Sequence, residues 1–467
     1  MYLNVVEVES ALQVLTAGPN AAFTELVTLP HRTWENRVCR AVRVAADPTT
    51  TRPAVYLIGG VHAREWGSPD ILVSFLERLT AAYSGGTGID LPGYSVSAAD
   101  VTRIVTGLDL VVFPQVNPDG RAYSMDPDGD EMWRKNRRPA PPGSPCPGVD
   151  VNRNYDWLWD FRRHFHPASR VSNSTDPCSE VYVGPAAFSE PETRNVAWLF
   201  DRFPETRFFV DVHSFSELVL HPWGDDDNQA VDPAMDFRNP AFDGRRGILD
   251  ATGRPDAGDY RAYLDAGDGR SLGELGRRMA DAVAAVHGRR YRVQQGANLY
   301  PTGGTSEDWA YARHRADPAR AKVYPFVVEW GRERASIAES FHPPYAEMAR
   351  IIEENVAGLL EFCLAALDRL DAERFEGLRP GRFAELVRVL FGVTSDGGGV
   401  VLGPDGRPVP IPPWDPAHGL EPAHRQLLAG LAAGELAGLV DDAGAQEALR
   451  AAGLRAAVEA AGRIDGG

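Results

Sequence analysis

The chain has 467 residues, 43% of them hydrophobic and 24% charged, with 46 glycines and 36 prolines that follow no repeating period. This is a globular composition, long enough for one large domain and an appendage, and it excludes fibrous and low-complexity architectures. A formal net charge of −17 repels nucleic acid and anionic membrane surfaces, so neither is expected as a partner.

The opening MYLNVVEVESALQVLTAG has no basic start followed by a continuous apolar core, and so does not read as a secretory signal. No apolar stretch reaches the ~20 residues that cross a bilayer. The expected location is therefore the cytoplasm. AVYLIGG (54–60) is rich in β-branched residues and predicts a buried strand. Pro69 then opens a helical pattern over 69–83, with Ile71, Leu72, Phe75, Leu76 and Leu79 on one face. LDLVVFPQVN (108–117) predicts a second strand. In DPDGDE (126–131) three aspartates alternate as in a calcium loop, but Gly129 is misplaced for an EF-hand, so a solvated acidic turn is expected.

Cys146 and Cys178 sit in GSPCPG and TDPCSE, loop-like surroundings where a bridge is sterically feasible, whereas Cys363 in LLEFCLAAL reads as a small buried apolar residue. A cytoplasmic home would keep thiols reduced, so compartment and cysteine placement point in opposite directions. Ser189 with Glu192, and Ser271 with Glu274, have capping-box spacing and predict two helix starts, the second ahead of Leu272, Leu275, Met279, Val283 and Val286. RFFVDVH (207–213) and VYPFVVEW (323–330) predict two further strands. Between them, 224–267 is polar, acidic and rich in Gly and Pro, which predicts a long surface insertion with at most one short helix. A helix over about 344–370 closes the domain. Strands alternating with helices imply an α/β fold on a parallel or mixed sheet. Beyond 372 the character changes: RFAELVRVLFGVTS reads as helix, DGGGVVLGPDGRPVPIPP as a hairpin or extended piece, and the Ala-rich end as helix.

Catalytic groups in α/β sheets gather where strands end. The first run is followed by VHAREW, the third by His213, and the fourth by Glu329, so strand ends present His62 with Glu65, then His213, then a carboxylate. Two imidazoles and one carboxylate are a suitable catalytic zinc set with a fourth position left for water. Glu329 is the candidate to take that water's proton. Taken singly, an H-x-x-E is usually a solvated turn, and a strand-end histidine or glutamate usually a structural or solvated group.

In combination these segments resemble the zinc carboxypeptidases of the carboxypeptidase A and B type. The likeness is carried by GGVHAREW, NPDGRAYS with MWRKNR, CPGVDVNRNYDW, CSEVYVGPAAFSEPET, VDVHSFSELVLHPWG, LYPTGGTSEDWAY and VVEW, in the family's order over roughly residues 1–370. Carboxypeptidase A is itself a standard example of two-histidine, one-glutamate zinc ligation. The resemblance implies His62, Glu65 and His213 as ligands of one zinc ion, and Glu329 as general base and acid. It implies Arg134 at the scissile carbonyl, Asn152 and Arg153 on the substrate's terminal carboxylate, Tyr300 closing over the substrate, and Arg64 as a further substrate-site arginine. The substrates implied are peptides with a free C-terminal carboxylate. The fold implied is a mixed, twisted eight-stranded sheet flanked by helices over 1–370, carrying the insertion 224–267. A small, mostly helical C-terminal extension (371–467) would follow. The catalytic unit would begin near Tyr2 with no pro-segment, and Cys146 and Cys178 fall where animal digestive members have a disulfide.

Three departures stand out. Glu131 replaces a second arginine near the oxyanion site, Phe215 replaces a tyrosine after His213 and Ser214, and 224–267 is longer than in the digestive enzymes. Glu307, just before Asp308 and Trp309, occupies the place that sets the specificity pocket, and an acid there resembles carboxypeptidase B and implies a preference for basic C-terminal residues. Two other functions suit the same constellation. One is a zinc amidohydrolase acting on peptidoglycan-type peptides or N-acyl amino acids, against which the missing export signal and wall-binding module count. The other is a catalytically silent peptide-binding relative, against which Glu329, Arg134 and the three ligands count.

Overall fold

The protein is described by a computed structural model that covers residues 1–248, 260–376, 399–402 and 408–411. Eight strands share one sheet: β1 (Thr24–Thr28), β2 (Arg40–Val44), β3 (Ala54–Gly59), β4 (Asp109–Phe113), β5 (Thr206–Ser214), β6 (Leu218–His221), β7 (Arg292–Gln295) and β8 (Tyr324–Trp330). Their order is β1-β2-β4-β3-β5-β8-β6-β7. The four strands expected from apolar runs are β4, β3, β5 and β8, which lie side by side and pair in parallel. β3 and β4 are buried along their whole length. Burial on both faces is what makes such sequences continuously apolar. Antiparallel pairings of β1 with β2, β2 with β4 and β6 with β8 make the sheet mixed, as expected.

The flanking helices are α1 (Val5–Leu15), α2 (Gly67–Gly85), α3 (Ala98–Gly107), α4 (Pro118–Met125), α5 (Pro191–Arg202), α6 (Ala266–His287), α7 (Ser306–Ala316) and α8 (Tyr345–Glu376). α5 and α7 help bury one face of the central strands, where the Phe200 ring meets Tyr56 at 5.1 Å and Phe209 at 5.3 Å between centroids. Each such buried ring contributes about 1.5–3 kcal/mol, which makes the floor under the strand ends rigid.

Both expected capping boxes are corrected. α5 starts at Pro191 with Glu190 at its N-cap, and Ser189 Oγ instead donates to Glu190 Oε1 at 2.6 Å. Proline already suits the first helical position and needs no donor there. α6 starts five residues earlier than Ser271, capped by Asp265, and Ser271 Oγ donates to the Gly267 carbonyl at 3.0 Å within the helix. A capping box does form with Asn4 and Glu7 at the head of α1, a helix the sequence did not announce.

In the insertion, Asn228–Gln229 pairs in parallel with Ala262–Tyr263. The insertion is not all surface: Asp225, Asp226, Arg246 and Tyr260 are buried, and Tyr260 Oη donates to Asp225 Oδ2 at 3.2 Å. Cys146 and Cys178 are joined in a disulfide, with Cα atoms 5.0 Å apart, while Cys39 and Cys363 are buried thiols. Asp126, Asp128 and Asp130 are exposed, and two of them close short turns by accepting from backbone N–H groups.

The chain divides into two compact units, Met1–Cys363 and Leu364–Gly467, at a point within α8. Within the second unit, Gly399–Leu402 and Pro408–Ile411 pair in antiparallel fashion, in the stretch expected to be a hairpin or an extended piece. The helix expected over 382–395 and the Ala-rich C-terminal helix lie outside the described residues. No helix among the described residues is long and apolar enough to cross a membrane.

Candidate metal centre and substrate groups

β3 ends at a turn that favours glycine. Gly60 has φ 63°, and a Cβ there would stand 3.1 Å from the Pro114 carbonyl oxygen and from Pro69 Cγ. The chain then runs through His62 and Glu65 into α2. His213 lies near the end of β5, and the parallel register of β5 with β8 sets Glu329 opposite it. Side-chain alternation along β5 places Asp211 on the same face as His213.

His62 Nδ1 lies 2.7 Å from Glu65 Oε1, and His213 Nδ1 lies 2.9 Å from Glu65 Oε2 and 3.0 Å from His62 Nδ1. All three residues are buried, and their ligating atoms lie within 4.8 Å of one another. Two imidazole nitrogens facing each other can share at most one proton, whereas a divalent metal accepts lone pairs from both nitrogens and the carboxylate at once. The donor set thus fits zinc. The field agrees. Burial works against the Glu65 charge, but His62 and His213 hold the carboxyl below its usual range. Burial likewise opposes charge on His213, yet Asp211 and Glu65 raise its pKa well above the ordinary value. A site that draws a proton onto an imidazole this way also draws a metal cation.

A buried aspartate absent from the expected set braces this centre. Asp150 Oδ1 lies 3.1 Å from His62 Nε2, and Asp150 Oδ2 accepts from Arg134 Nε and Nη2 at 3.1 and 2.9 Å. Desolvation would raise the Asp150 carboxyl, but Arg134 and His62 hold it well below the usual value. Arg134 uses only Nε and Nη2 on that aspartate. The Glu329 carboxyl is raised to about 8, chiefly by burial; His213 and Arg134 oppose the rise, and Glu65 and Asp211 add to it. A cation held by the three ligands pulls it back toward neutral pH.

Arg153 is buried, with Nε on the Ser172 carbonyl at 2.7 Å and Nη1 on the Asn152 carbonyl at 2.5 Å. Among the described residues it makes no ion pair. Asn152 Oδ1 accepts from the Ser306 backbone N–H at 2.8 Å, which ties it to the head of α7. Gly304 makes that approach feasible: its φ is 73°, and a Cβ would come within 2.5 Å of the Arg153 carbonyl oxygen. Tyr300 is 39% exposed, and its ring centre stands 6.0 Å from the Arg153 guanidinium carbon. Arg64 donates to the Met132 carbonyl at 3.2 Å and lies over the Phe341 ring, so it flanks the centre rather than joining it.

Glu307 is buried in the first turn of α7, and Ser306 Oγ lies 3.5 Å from its Oε2. Burial raises the Glu307 carboxyl, and the Asp211 charge adds to the rise. The His213 and Arg153 charges oppose the rise, but among the described residues Glu307 makes no ion pair with an arginine or lysine. Two residues that sequence reasoning missed, Asp211 and Ser306, stand between this carboxylate and the metal ligands. Alternation in VDVH was the signal for Asp211.

A family model described as zinc carboxypeptidase matches residues 10–358. The chain is 28% identical over 297 residues to carboxypeptidase B of Astacus astacus, covering 63% of this chain and 76% of that protein. It is 29% identical over 292 residues to carboxypeptidase A4 of Mus musculus, covering 62% and 55%. It is 30% identical over 266 residues to the inactive metallocarboxypeptidase ecm14 of Talaromyces stipitatus, covering 56% and 38%. The match thus spans about half of the mouse protein and less of the fungal one. Among solved structures, carboxypeptidase A from Helicoverpa armigera superposes with a TM-score of 0.57 at 21% identity, covering 78% of this chain and 74% of that one. At that identity the likeness is one of fold.

Proposed function

The chain belongs to the zinc carboxypeptidase family, and from that premise we propose that it removes single residues from the free C-terminus of peptides. The observation that carries this is the grouping of a His62–Glu65–His213 donor set, the Glu329 carboxyl and a buried Arg153 that makes no ion pair among the described residues. Zinc, the family's metal, would be held by His62, Glu65 and His213, and would supply Lewis-acid polarisation and a water of lowered pKa. Arg153 and Asn152 would hold the terminal carboxylate, since a planar guanidinium matches it bidentately and fixes which peptide bond lies at the centre. Glu329 would take a proton from the attacking water and return it to the leaving amine nitrogen as the C–N bond breaks. Arg134, pre-positioned by Asp150, would stabilise the negative charge developing on the carbonyl oxygen. Tyr300 would close over the bound residue.

The finer reading is a preference for Lys or Arg at the C-terminus, supported by a buried Glu307 that makes no ion pair with an arginine or lysine among the described residues. A second reading is favoured by the inactive relative: a chain that binds peptides without cleaving them. Mass spectrometry of a mixed peptide pool incubated with the protein separates the two. Stepwise loss of C-terminal residues, stopped by a chelator and restored by zinc, supports the enzyme. Peptides left unchanged by the zinc-loaded protein would sink it.

A further inference from the structure

We propose that Asp211 is a positioning residue for the metal ligand His213, so that both imidazoles of this centre are braced by a buried carboxylate. The inference rests on the reading of His62, Glu65 and His213 as zinc ligands. Asp211 precedes His213 by two residues on β5, and both side chains are fully enclosed at 0% and 1% exposure. Asp211 Oδ1 stands 3.0 Å from His213 Nε2. Among the described residues neither atom makes an aligned hydrogen bond, so their mutual approach is the one polar contact shown for either buried atom. The other oxygen, Oδ2, accepts from Ser306 Oγ at 2.7 Å.

The arrangement repeats the one around His62. There Nδ1 faces the centre and Nε2 faces Asp150, whose second oxygen is held by Arg134. A carboxylate at Nε2 keeps the proton on that nitrogen, frees the Nδ1 lone pair for metal, fixes the ring plane and raises ligand basicity. Ser306 has a further consequence. Its hydroxyl holds Asp211, while its backbone N–H holds Asn152. The head of α7 therefore fixes a metal-ligand brace and a substrate-carboxylate group together.

A competing role for Asp211 is as a second acid of the side-chain pocket beside Glu307. Zinc affinity decides between them, measured by competition with a chromophoric chelator on wild type and on the Asp211→Ala, Asp211→Asn and Ser306→Ala proteins. Thermal unfolding of each metal-stripped form checks that it folds. Removal of such a bracing group weakens metal binding by about 10–100-fold, expected for Asp211→Ala. Asp211→Asn, which keeps an acceptor but no charge, falls between Ala and wild type, and Ser306→Ala weakens binding only a few-fold. Should the Ala protein fail to fold, the Asn protein carries the comparison. Wild-type zinc affinity in a folded Asp211 variant overturns the inference alone. So does unchanged affinity with lost discrimination between Arg- and Leu-ending peptides, which assigns Asp211 to the pocket. A wild-type chain that takes up no zinc overturns the metal site and this inference together.

Discussion

Glu329 on β8 and His213 on β5 face each other as direct partners in a parallel ladder. Backbone hydrogen bonding, rather than a mobile loop, sets the candidate base beside the candidate ligand. A substitution at Glu329 is therefore expected to change chemistry without disturbing the ligands. Glu329→Gln should retain one zinc per chain and lose about 10²–10⁴-fold or more in kcat, the usual contribution of a general base. Near-wild-type turnover in that variant would remove Glu329 from the mechanism.

Metal removal should act through the same three residues. His213→Ala breaks a buried set in which Glu65 faces both histidines. Its zinc content after dialysis should fall well below one per chain by elemental analysis. Full zinc retention would place the metal elsewhere.

How much of this was legible in the sequence follows burial. β3, β4, β5 and β8 are enclosed, so their runs are apolar throughout and easily read. β1 and β7, with TELVT and RVQQ at the sheet's margins, have mixed burial and no clear alternation, and they were not read. β2 and β6 were not read either, although they are largely buried: RAVRV carries two arginines and LVLH has only four residues, so neither forms a long apolar run. Residues that touch the reacting groups lay in recognisable segments. Asp150, Asp211 and Ser306 were missed because each acts through another side chain: the contacts of Asp150 with His62 and of Ser306 with Asp211 exist only once distant segments are assembled, whereas Asp211 meets His213 along β5 itself. The false helix starts at Ser189 and Ser271 had the right spacing, but Pro191 and Asp265 already served those termini.

Specificity should follow Glu307. Peptides ending in Arg or Lys are expected to exceed those ending in Leu or Phe about ten- to a hundredfold in kcat/KM, since a charged hydrogen-bonded pair contributes roughly 1.5–3 kcal/mol. Glu307→Ile should reverse the order and leave zinc content unchanged. A wild-type preference for Phe or Leu would take Glu307 out of the pocket.

Stability should depend on pH through Glu192. Burial, reinforced by the Glu190 charge, raises its carboxyl from 4.5 to about 8, while Asn136 Nδ2 donates to both glutamates, at 2.8 and 2.9 Å. The folded state keeps this proton where the unfolded chain has lost it. Its contribution is fully present below about 4.5 and is lost as pH rises toward about 8. The Tm of Glu192→Gln relative to wild type should therefore climb from pH 5 to pH 8. A Tm difference that stays flat across that window would contradict the assignment.

The central claim is that Asn152 and Arg153 read a free C-terminal carboxylate beside a zinc centre. The most direct measurement compares amino-acid release from one peptide as the free acid and as the C-terminal amide, using zinc-loaded protein with and without a chelator. Amidation leaves the buried Arg153 without its anionic partner, so the amide should be cut far more slowly, and the chelator should stop release from the acid. Equal rates on acid and amide, or release that continues in the chelator, would contradict the account.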